Sequence, residues 1–309
     1  GPGPLMGMGS ERHVYFRARE PYWLDHNLDG SRDLAFWNET AFSVNHLNGG
    51  HFNAVSEAFV PGLTGVRGDM MSLSLGSGEQ SDVEQKVLGS VQDLNGDSFD
   101  DVLVMAFQGD SIFGIESRLD VHLGRRGSGG MLEIESTPSS VISDSGIQVD
   151  SQQVDLDNNG TLEVMVTSVD FGVGTVIRAL IARTVGLQLR IYAMADSLYP
   201  TRAVVTRNLT ATVSLSEGQI FVPAILASDV NGDGRKDLVV QDGQSLRIFY
   251  GTTGPRLFLG DAERVEVPEL PKGRDDFSVF DLDGDRNEDL VLILGKVSEG
   301  RRVATVMFR

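Results

Sequence analysis

The stretch Asp229–Asp237 reads DVNGDGRKD, and the apolar run Leu238–Val240 follows it directly. Asp or Asn occupies positions 1, 3 and 5 of this stretch, and an acidic residue occupies position 9. The same nine-residue pattern occurs five times in the chain of 309 residues, with starts at Asp25, Asp93, Asp155, Asp229 and Asp281. Five complete copies are too many for chance, so the pattern indicates an internal repeat.

The spacing of the copies gives the size of the repeating unit. Successive copies start 68, 62, 74 and 52 residues apart, about the length of one supersecondary unit. Short apolar runs rich in β-branched residues predict buried strands directly after four copies, over 101–107, 163–169, 237–240 and 289–294. Further strands are predicted over 119–123, 187–192, 245–250 and 303–308. Each unit is therefore expected to hold three or four strands.

Repeated antiparallel sheets of this size predict an all-β fold. They favour a β-propeller over a sandwich, because a propeller stacks similar sheets radially and leaves few edges exposed. We predict one propeller domain over residues 11–309, with five blades of about four antiparallel strands each. The last unit supplies only two clear strands after its acidic stretch, so the run His13–Arg17 is expected to complete its sheet and close the ring. Residues 1–10 are interpreted as a tag remnant and linker.

One segment departs from the strand pattern. Residues 176–185 carry apolar side chains at helical spacing and lie in the longest unit, which predicts an inserted helix. The alternatives are a strand, or a helix that merely covers a blade. If the helix is an exposed insertion, residues 171–186 are a candidate contact for a partner.

The acidic stretches have the chemistry of calcium-binding loops. Asp or Asn at positions 1, 3 and 5 of a tight turn directs oxygen atoms at one centre, and the carbonyl at position 7 and the carboxylate at position 9 complete the set. Oxygen-only ligands favour calcium over zinc or copper. Gly at position 4 or 6 lets the backbone curl tightly. The alternative is a set of solvated Asx turns without metal.

We predict about five bound Ca²⁺ ions, one for each loop. The predicted ligands are Asp25, Asn27, Asp29, Ser31 and Asp33 in the first loop; Asp93, Asn95, Asp97, Phe99 and Asp101 in the second; Asp155, Asp157, Asn159, Thr161 and Glu163 in the third; Asp229, Asn231, Asp233, Arg235 and Asp237 in the fourth; and Asp281, Asp283, Asp285, Asn287 and Asp289 in the fifth.

An EF-hand or dockerin loop would share the first five positions but needs a bidentate Glu at position 12, followed by a helix. Position 12 is apolar in all five copies and falls in a predicted strand: Phe36, Val104, Val166, Val240 and Leu292. The EF-hand interpretation is therefore excluded.

At these loops and the strands after them, the chain resembles the FG-GAP and VCBS repeat proteins, which include the β-propeller of integrin α-subunits. The resemblance spans residues 11–309 and is weak in the outer strands. It implies loops that join the first and second strands of a blade and bind calcium through positions 1, 3, 5, 7 and 9. Integrin propellers have seven blades, whereas this chain has five copies, so it is either a smaller ring or a fragment of a larger one.

Charge and composition narrow the classes of partner. The formal net charge of −18 repels nucleic acid and anionic lipid headgroups. No apolar run reaches the roughly 18 residues of a membrane helix, so no membrane insertion is expected. The chain has no Cys, which excludes disulfides and thiolate chemistry. Weak calcium loops would be empty in a cytosol, which predicts a periplasmic, cell-surface or secreted protein.

Two kinds of short motif give only weak evidence about the partner and the source. Arg67-Gly68-Asp69 matches the tripeptide that integrins recognise, but this composition makes a chance match common. The glycosylation sequons begin at Asn38, Asn159 and Asn208. Because Asn159 is a predicted calcium ligand, a glycan there would destroy the third loop, and this favours a bacterial source.

No catalytic motif is recognisable. The five His residues lie outside hydrolase, zinc-protease and phosphate-loop contexts, and His46 and His51 are interpreted as a solvated hairpin pair more readily than as a metal site. We therefore expect a non-enzymatic scaffold that binds a protein or a glycan in adhesion. The alternatives are an enzyme, or a module attached to one, that acts on polysaccharide, and a structural spacer in a larger surface protein.

Overall fold

The computed structural model describes residues 21–68, 84–109, 115–169, 173–214, 219–254, 256–267, 269–271, 276–298 and 301–307. These residues form 25 strands and one α-helix, so the chain is all-β, as predicted. The run His13–Arg17, proposed above as a closing strand, lies outside the described residues.

Five sheets follow one another along the chain. The first contains β1 (Tyr22–Leu24), β2 (Asp33–Trp37), β3 (Phe42–Asn45) and β6 (Glu57–Phe59) in the order β1-β2-β3-β6, beside a hairpin of β4 (Leu47–Asn48) and β5 (His51–Phe52). The second contains β7 (Val66–Arg67), β8 (Gln85–Gln92), β9 (Asp101–Gln108), β10 (Glu116–His122) and β13 (Ser140–Ser145) in the order β13-β10-β9-β8-β7, beside a hairpin of β11 (Gly124–Arg126) and β12 (Leu132–Ile134).

The third sheet contains β14 (Ile147–Val154), β15 (Glu163–Val169), β16 (Thr184–Tyr192), β17 (Val205–Ser214) and β18 (Gln219–Phe221) in chain order. The fourth contains β19 (Ile225–Ser228), β20 (Asp237–Asp242), β21 (Ser245–Phe249) and β22 (Glu263–Glu266), and the fifth β23 (Phe277–Phe280), β24 (Asp289–Ser298) and β25 (Arg301–Met307). All these pairings are antiparallel except β7 with β8.

Each acidic loop joins two neighbouring antiparallel strands of its own sheet. The loops connect β1 to β2, β8 to β9, β14 to β15, β19 to β20 and β23 to β24. The strand after each loop begins at position 9 of the repeat, so the last residue of the pattern is also the first residue of a central strand.

Apolar clusters join each sheet to the next one along the chain. In β9, Val102 and Val104 pack with residues of the first sheet, whereas Leu103 packs with Val164 and Val166 of the third sheet. Further clusters join the third sheet to the fourth and the fourth to the fifth. Alternate side chains of a central strand thus face two different sheets, which is why these strands read as continuous apolar runs instead of alternating ones.

The predicted inserted helix is confirmed, with shifted bounds. Helix α1 spans Val173–Ala182, and β16 begins at Thr184, so the interpretation of this segment as a strand is wrong. Ala179 packs against a small apolar cluster that contains Val185 and Leu187, while Leu180 and Ile181 are exposed. No helix of the described residues is long and apolar enough to span a bilayer.

Candidate metal centres

The five loops share one backbone conformation. Positions 4 and 6 have left-handed φ angles of 56° to 87° in every copy: Leu28 and Gly30, Gly96 and Ser98, Asn158 and Gly160, Gly232 and Gly234, and Gly284 and Arg286. Only glycine adopts this region without a steric cost. The sequence indicates one such position in most copies, whereas the structure requires two in all of them.

Hydrogen bonds within each loop hold the acidic side chains inward. The Asp25 carboxylate accepts the N–H groups of Asp29 (3.0 Å) and Gly30 (2.8 Å), and the next three loops repeat this pattern. The side chain at position 5 accepts the N–H of position 7 in all five loops. These are Asx turns, as the metal-free alternative describes, but a carboxylate oxygen that accepts one N–H keeps a lone pair for a cation.

The carboxylate at position 9 anchors the loop to its sheet. It is buried in every copy and accepts the N–H of position 2 at 2.8–3.2 Å. In three sheets its other oxygen accepts an N–H from the chain just beyond the third strand, donated by Leu47, Gly124 and Gly251. Position 9 therefore has a structural role in addition to the predicted metal role.

The third loop has the clearest opening for a cation. Asp157 Oδ1 and Glu163 Oε1 are buried and have no hydrogen-bond partner. Asp155, Asp157 and Glu163 each offer one oxygen, and these atoms lie within 4.8 Å of one another. Buried oxygens without a donor are costly, and a hard cation would satisfy both. The residues present therefore fit calcium at this loop.

The other loops differ in detail. In the fifth loop Asp281, Asp283 and Asp285 bring one oxygen each within the same 4.8 Å, and all three are exposed. The first, second and fourth loops carry Asn at position 3, whose amide nitrogen donates to the carboxylate at position 5 at 2.9–3.4 Å. The calcium assignment at these loops stays a prediction.

Burial and neighbouring charge make the position 9 carboxylates of the second and third loops hard to ionise. Burial raises the pKa of Asp101 to about 7, and the carboxylates of Asp97 and Asp93 add to the rise. Burial likewise raises the pKa of Glu163 to about 7, with contributions from Asp157 and Asp155. A bound cation would offset this repulsion and keep both groups ionised.

Position 8, which is not one of the predicted ligand positions, links consecutive loops. Asp100 accepts the N–H of Asp25 at 2.8 Å and forms an ion pair with Arg32, which is position 8 of the first loop. Glu288 makes the same two contacts with the fourth loop, accepting the N–H of Asp229 (2.8 Å) and pairing with Lys236 (2.7 Å). Opposite charges at position 8 of consecutive copies were the signal in the sequence.

Main-chain contacts link the remaining loops. Leu162 N–H donates to Leu94 O (2.8 Å), and Lys236 N–H donates to Leu156 O (2.9 Å). Consecutive contacts thus join all five loops in series.

Three other sequence features can be compared with the structure. The absence of an EF-hand is confirmed, because position 12 of every copy lies in a strand. His51 is exposed on β5, whereas His46 contacts Asp33 and Glu57, so these two histidines do not share a site. The Arg67-Gly68-Asp69 motif ends outside the described residues.

Residues 229–292, which span the fourth loop through the start of β24, match the FG-GAP-like repeat family. The chain carries an FG-GAP-like repeat. This confirms the resemblance to FG-GAP and VCBS repeat proteins on the part of the chain that holds the fourth and fifth loops. No curated protein matches the sequence.

Two solved structures show weak similarity to the chain over most of its length. An Agrocybe aegerita lectin, described for recognition of non-reducing terminal N-acetylglucosamine, is 10% identical with a TM-score of 0.35, over 94% of this chain and 79% of the lectin. The V. cholerae biofilm matrix protein Bap1 is 14% identical with a TM-score of 0.26, over 93% of this chain and 68% of Bap1. Similarity at this level carries no inference about ligands.

Proposed function

We propose that this chain is a calcium-stabilised, five-bladed β-propeller that works outside the cytoplasm as a non-enzymatic scaffold for binding a protein or a glycan. The FG-GAP-like repeat and the all-β fold support a repeat scaffold. The observation that carries the calcium proposal is the pair of buried oxygens without partners, Asp157 Oδ1 and Glu163 Oε1, beside Asp155.

The propeller arrangement is supported by how the sheets pack. Each of the five sheets carries one loop at an equivalent place, and apolar clusters join them in series. A chain of similar sheets that are joined in series, with their loops also in series, closes most simply into a ring. In this proposal the fifth sheet packs against the first and closes the ring.

The extracytoplasmic setting follows from calcium affinity. At about 1 mM calcium, a site with a dissociation constant of about 10⁻⁴ to 10⁻³ M stabilises the folded state by roughly 0.4 to 1.4 kcal/mol. Five such sites would contribute about 2 to 7 kcal/mol, comparable with the roughly 5–15 kcal/mol of a whole domain. Such sites would be empty in the cytosol.

We place the binding function on two exposed features. One is a concave region of about 420 Å³ between the second and third sheets, lined by Ser143, Arg190, Tyr192, Thr201, Arg202, Ala203 and Thr206. Its guanidinium and hydroxyl donors suit a glycan that carries carboxylates. The other is α1, whose exposed Leu180 and Ile181 suit a protein partner.

Calcium titration tests the scaffold. Metal-free protein should melt well below protein in about 1 mM calcium, and calorimetry should count close to five ions. Glu163→Gln keeps the shape of the side chain but removes a charged oxygen, so it should remove one ion. Asp261→Asn, an exposed change outside the loops, is the matched control. No bound calcium and no change in melting temperature would refute the calcium proposal.

A glycan array tests the binding function. Retention of uronic-acid glycans that Arg202→Ser weakens, without release of shortened products, would support a binding scaffold. Turnover of the bound glycan would support the polysaccharide-acting enzyme instead. Retention that Arg202→Ser leaves unchanged would refute the assigned surface.

A further inference from the structure

Three residues of the first sheet form a cluster that the calcium loops do not include. His26 is position 2 of the first loop, His46 follows β3, and Glu57 begins β6. Each offers one ligand atom, and the three atoms lie within 4.8 Å of one another. Both histidines are buried, whereas the Glu57 side chain is about half exposed, at 56%.

The repeat shows that packing does not require histidine at these places. Position 2 is a buried apolar residue in the next three loops: Leu94, Leu156 and Val230. His46 precedes the residue whose N–H binds Asp33, and the residues at the equivalent place in the second and fourth sheets are Leu123 and Tyr250. Both of these pack against apolar clusters. Two apolar positions of the repeat have thus become imidazoles, and they are neighbours in space.

One ring nitrogen of His26 has no hydrogen-bond partner. Its residue is 4% exposed, and its Nδ1 atom is buried without a hydrogen-bond partner. Its ring packs on Phe59 at 4.6 Å and stacks on His46 at 5.5 Å between centroids. A buried imidazole nitrogen without a partner costs free energy unless something binds it.

His46 is oriented as a metal ligand. Its Nδ1 lies 2.9 Å from the buried Asp33 Oδ2, so Nδ1 carries the proton and donates it to that carboxylate. Nε2 then presents a lone pair, yet it lies 3.1 Å from Glu57 Oε2, which is also an acceptor. Two acceptors at this distance need a proton or a cation between them. A histidine held through Nδ1 by a carboxylate is the usual outer-shell arrangement around zinc.

From these contacts we propose that His26, His46 and Glu57 form a zinc site with three protein ligands and a fourth position open to water. Two imidazoles and one carboxylate suit Zn²⁺, whereas calcium prefers oxygen ligands alone. The exposed Glu57 side chain can move to close the shell.

Zinc titration of the full chain tests the site. The protein is first saturated with calcium, so that the acidic loops are occupied, and Zn²⁺ is then added in competition with a chromophoric chelator. We expect one Zn²⁺ per chain with a dissociation constant in the micromolar range or below. Co²⁺ in place of zinc should give the intense visible absorption of a four-coordinate site.

Two variants and a control separate this site from surface binding. His26→Leu introduces the residue that the second and third loops carry at this position, so the variant should fold. Its dissociation constant for zinc should rise at least a hundredfold. Glu57→Gln should weaken binding at least tenfold. His51→Gln alters an exposed histidine on β5 and should leave binding unchanged.

The outcomes are distinct. One zinc ion whose binding His26→Leu abolishes supports the proposal. Zinc binding that survives both variants, that is lost equally in His51→Gln, or that rising calcium displaces would overturn it, as would the absence of binding. None of these results depends on whether the chain binds a glycan or a protein.

Discussion

Replacing Asp100 by Ala should weaken the junction between the first and second sheets more than a typical surface change. Asp100 is 3% exposed and accepts the N–H of Asp25 at 2.8 Å, across 75 residues of sequence. It also forms an ion pair with Arg32, whose side chain is 53% exposed. The substitution leaves the Asp25 N–H without its acceptor and removes the partner of Arg32.

The expected loss can be worked out from these two contacts. A hydrogen bond to a buried charged acceptor contributes about 1.5–3 kcal/mol. The ion pair adds less than about 1 kcal/mol, because solvent screens the exposed guanidinium of Arg32. Removing one negative charge from a chain of net charge −18 reduces charge repulsion in the folded state, which offsets a small part of this loss. We expect Asp100→Ala to lower the free energy of unfolding by about 2–3 kcal/mol.

Denaturant unfolding in excess calcium measures this loss, with fluorescence and circular dichroism compared to test for a single transition. Asp100→Asn keeps an oxygen for the Asp25 N–H and should cost about 1 kcal/mol, less than Ala. Glu288→Ala removes the same two contacts at the junction of the fourth and fifth loops. It should cost less than Asp100→Ala, because the Glu288 side chain is 26% exposed.

A double-mutant cycle with Arg32→Ala isolates the ion pair and should give a coupling of about 0.2–1 kcal/mol. If Asp100→Ala costs less than about 0.5 kcal/mol, or no more than Asp100→Asn, the link between the loops does not stabilise the fold and the reasoning is refuted.

Three further predictions concern the loops. Ser98→Gly should stabilise the protein by about 0.5 kcal/mol, because glycine adopts the left-handed φ of 72° without strain. Ser98→Ala should give no gain when both variants are compared with the parent protein by denaturant unfolding. Gly124→Ala should destabilise by about 1–3 kcal/mol, since its Cβ would collide with the Asp100 carbonyl, while Gly129→Ala meets open space and should be tolerated in denaturant unfolding. In calcium-free buffer the melting temperature should rise as the pH falls from 7.5 towards 5, because the pKa values of Asp101 and Glu163 are about 7 when folded and near 4 when unfolded, so the folded state binds more protons in this range. Saturating calcium, which binds the ionised groups, should abolish or reverse that trend, and a calcium-free protein that loses stability on acidification through this range would contradict it.

The sequence could predict the elements that short-range chemistry specifies. The spacing of Asp, Asn and Gly in DVNGDGRKD fixes a turn whose side chains bond their own backbone, so five loops could be located from one pattern. The run Asp101–Phe107 is continuously apolar after its first residue and falls within β9, as expected. The helix was predicted from the helical spacing of its apolar residues, and its start is displaced by three residues.

Contacts between distant parts of the chain required the structure. Nothing in the nine-residue pattern indicates that the position 9 carboxylate also accepts an N–H from beyond the third strand, as Asp101 does from Gly124. The sequence pattern treats it as a metal ligand alone, whereas folding also makes it a buried anchor.

The sequence by itself determined the all-β repeat, its loops and their oxygen chemistry, because each of these is encoded within about ten neighbouring residues. Tertiary structure decided the pairing of Asp100 with Asp25 and the meeting of His26, His46 and Glu57. These residues lie on separate strands and loops, and only the packing of strands and of sheets brings them within a few ångströms.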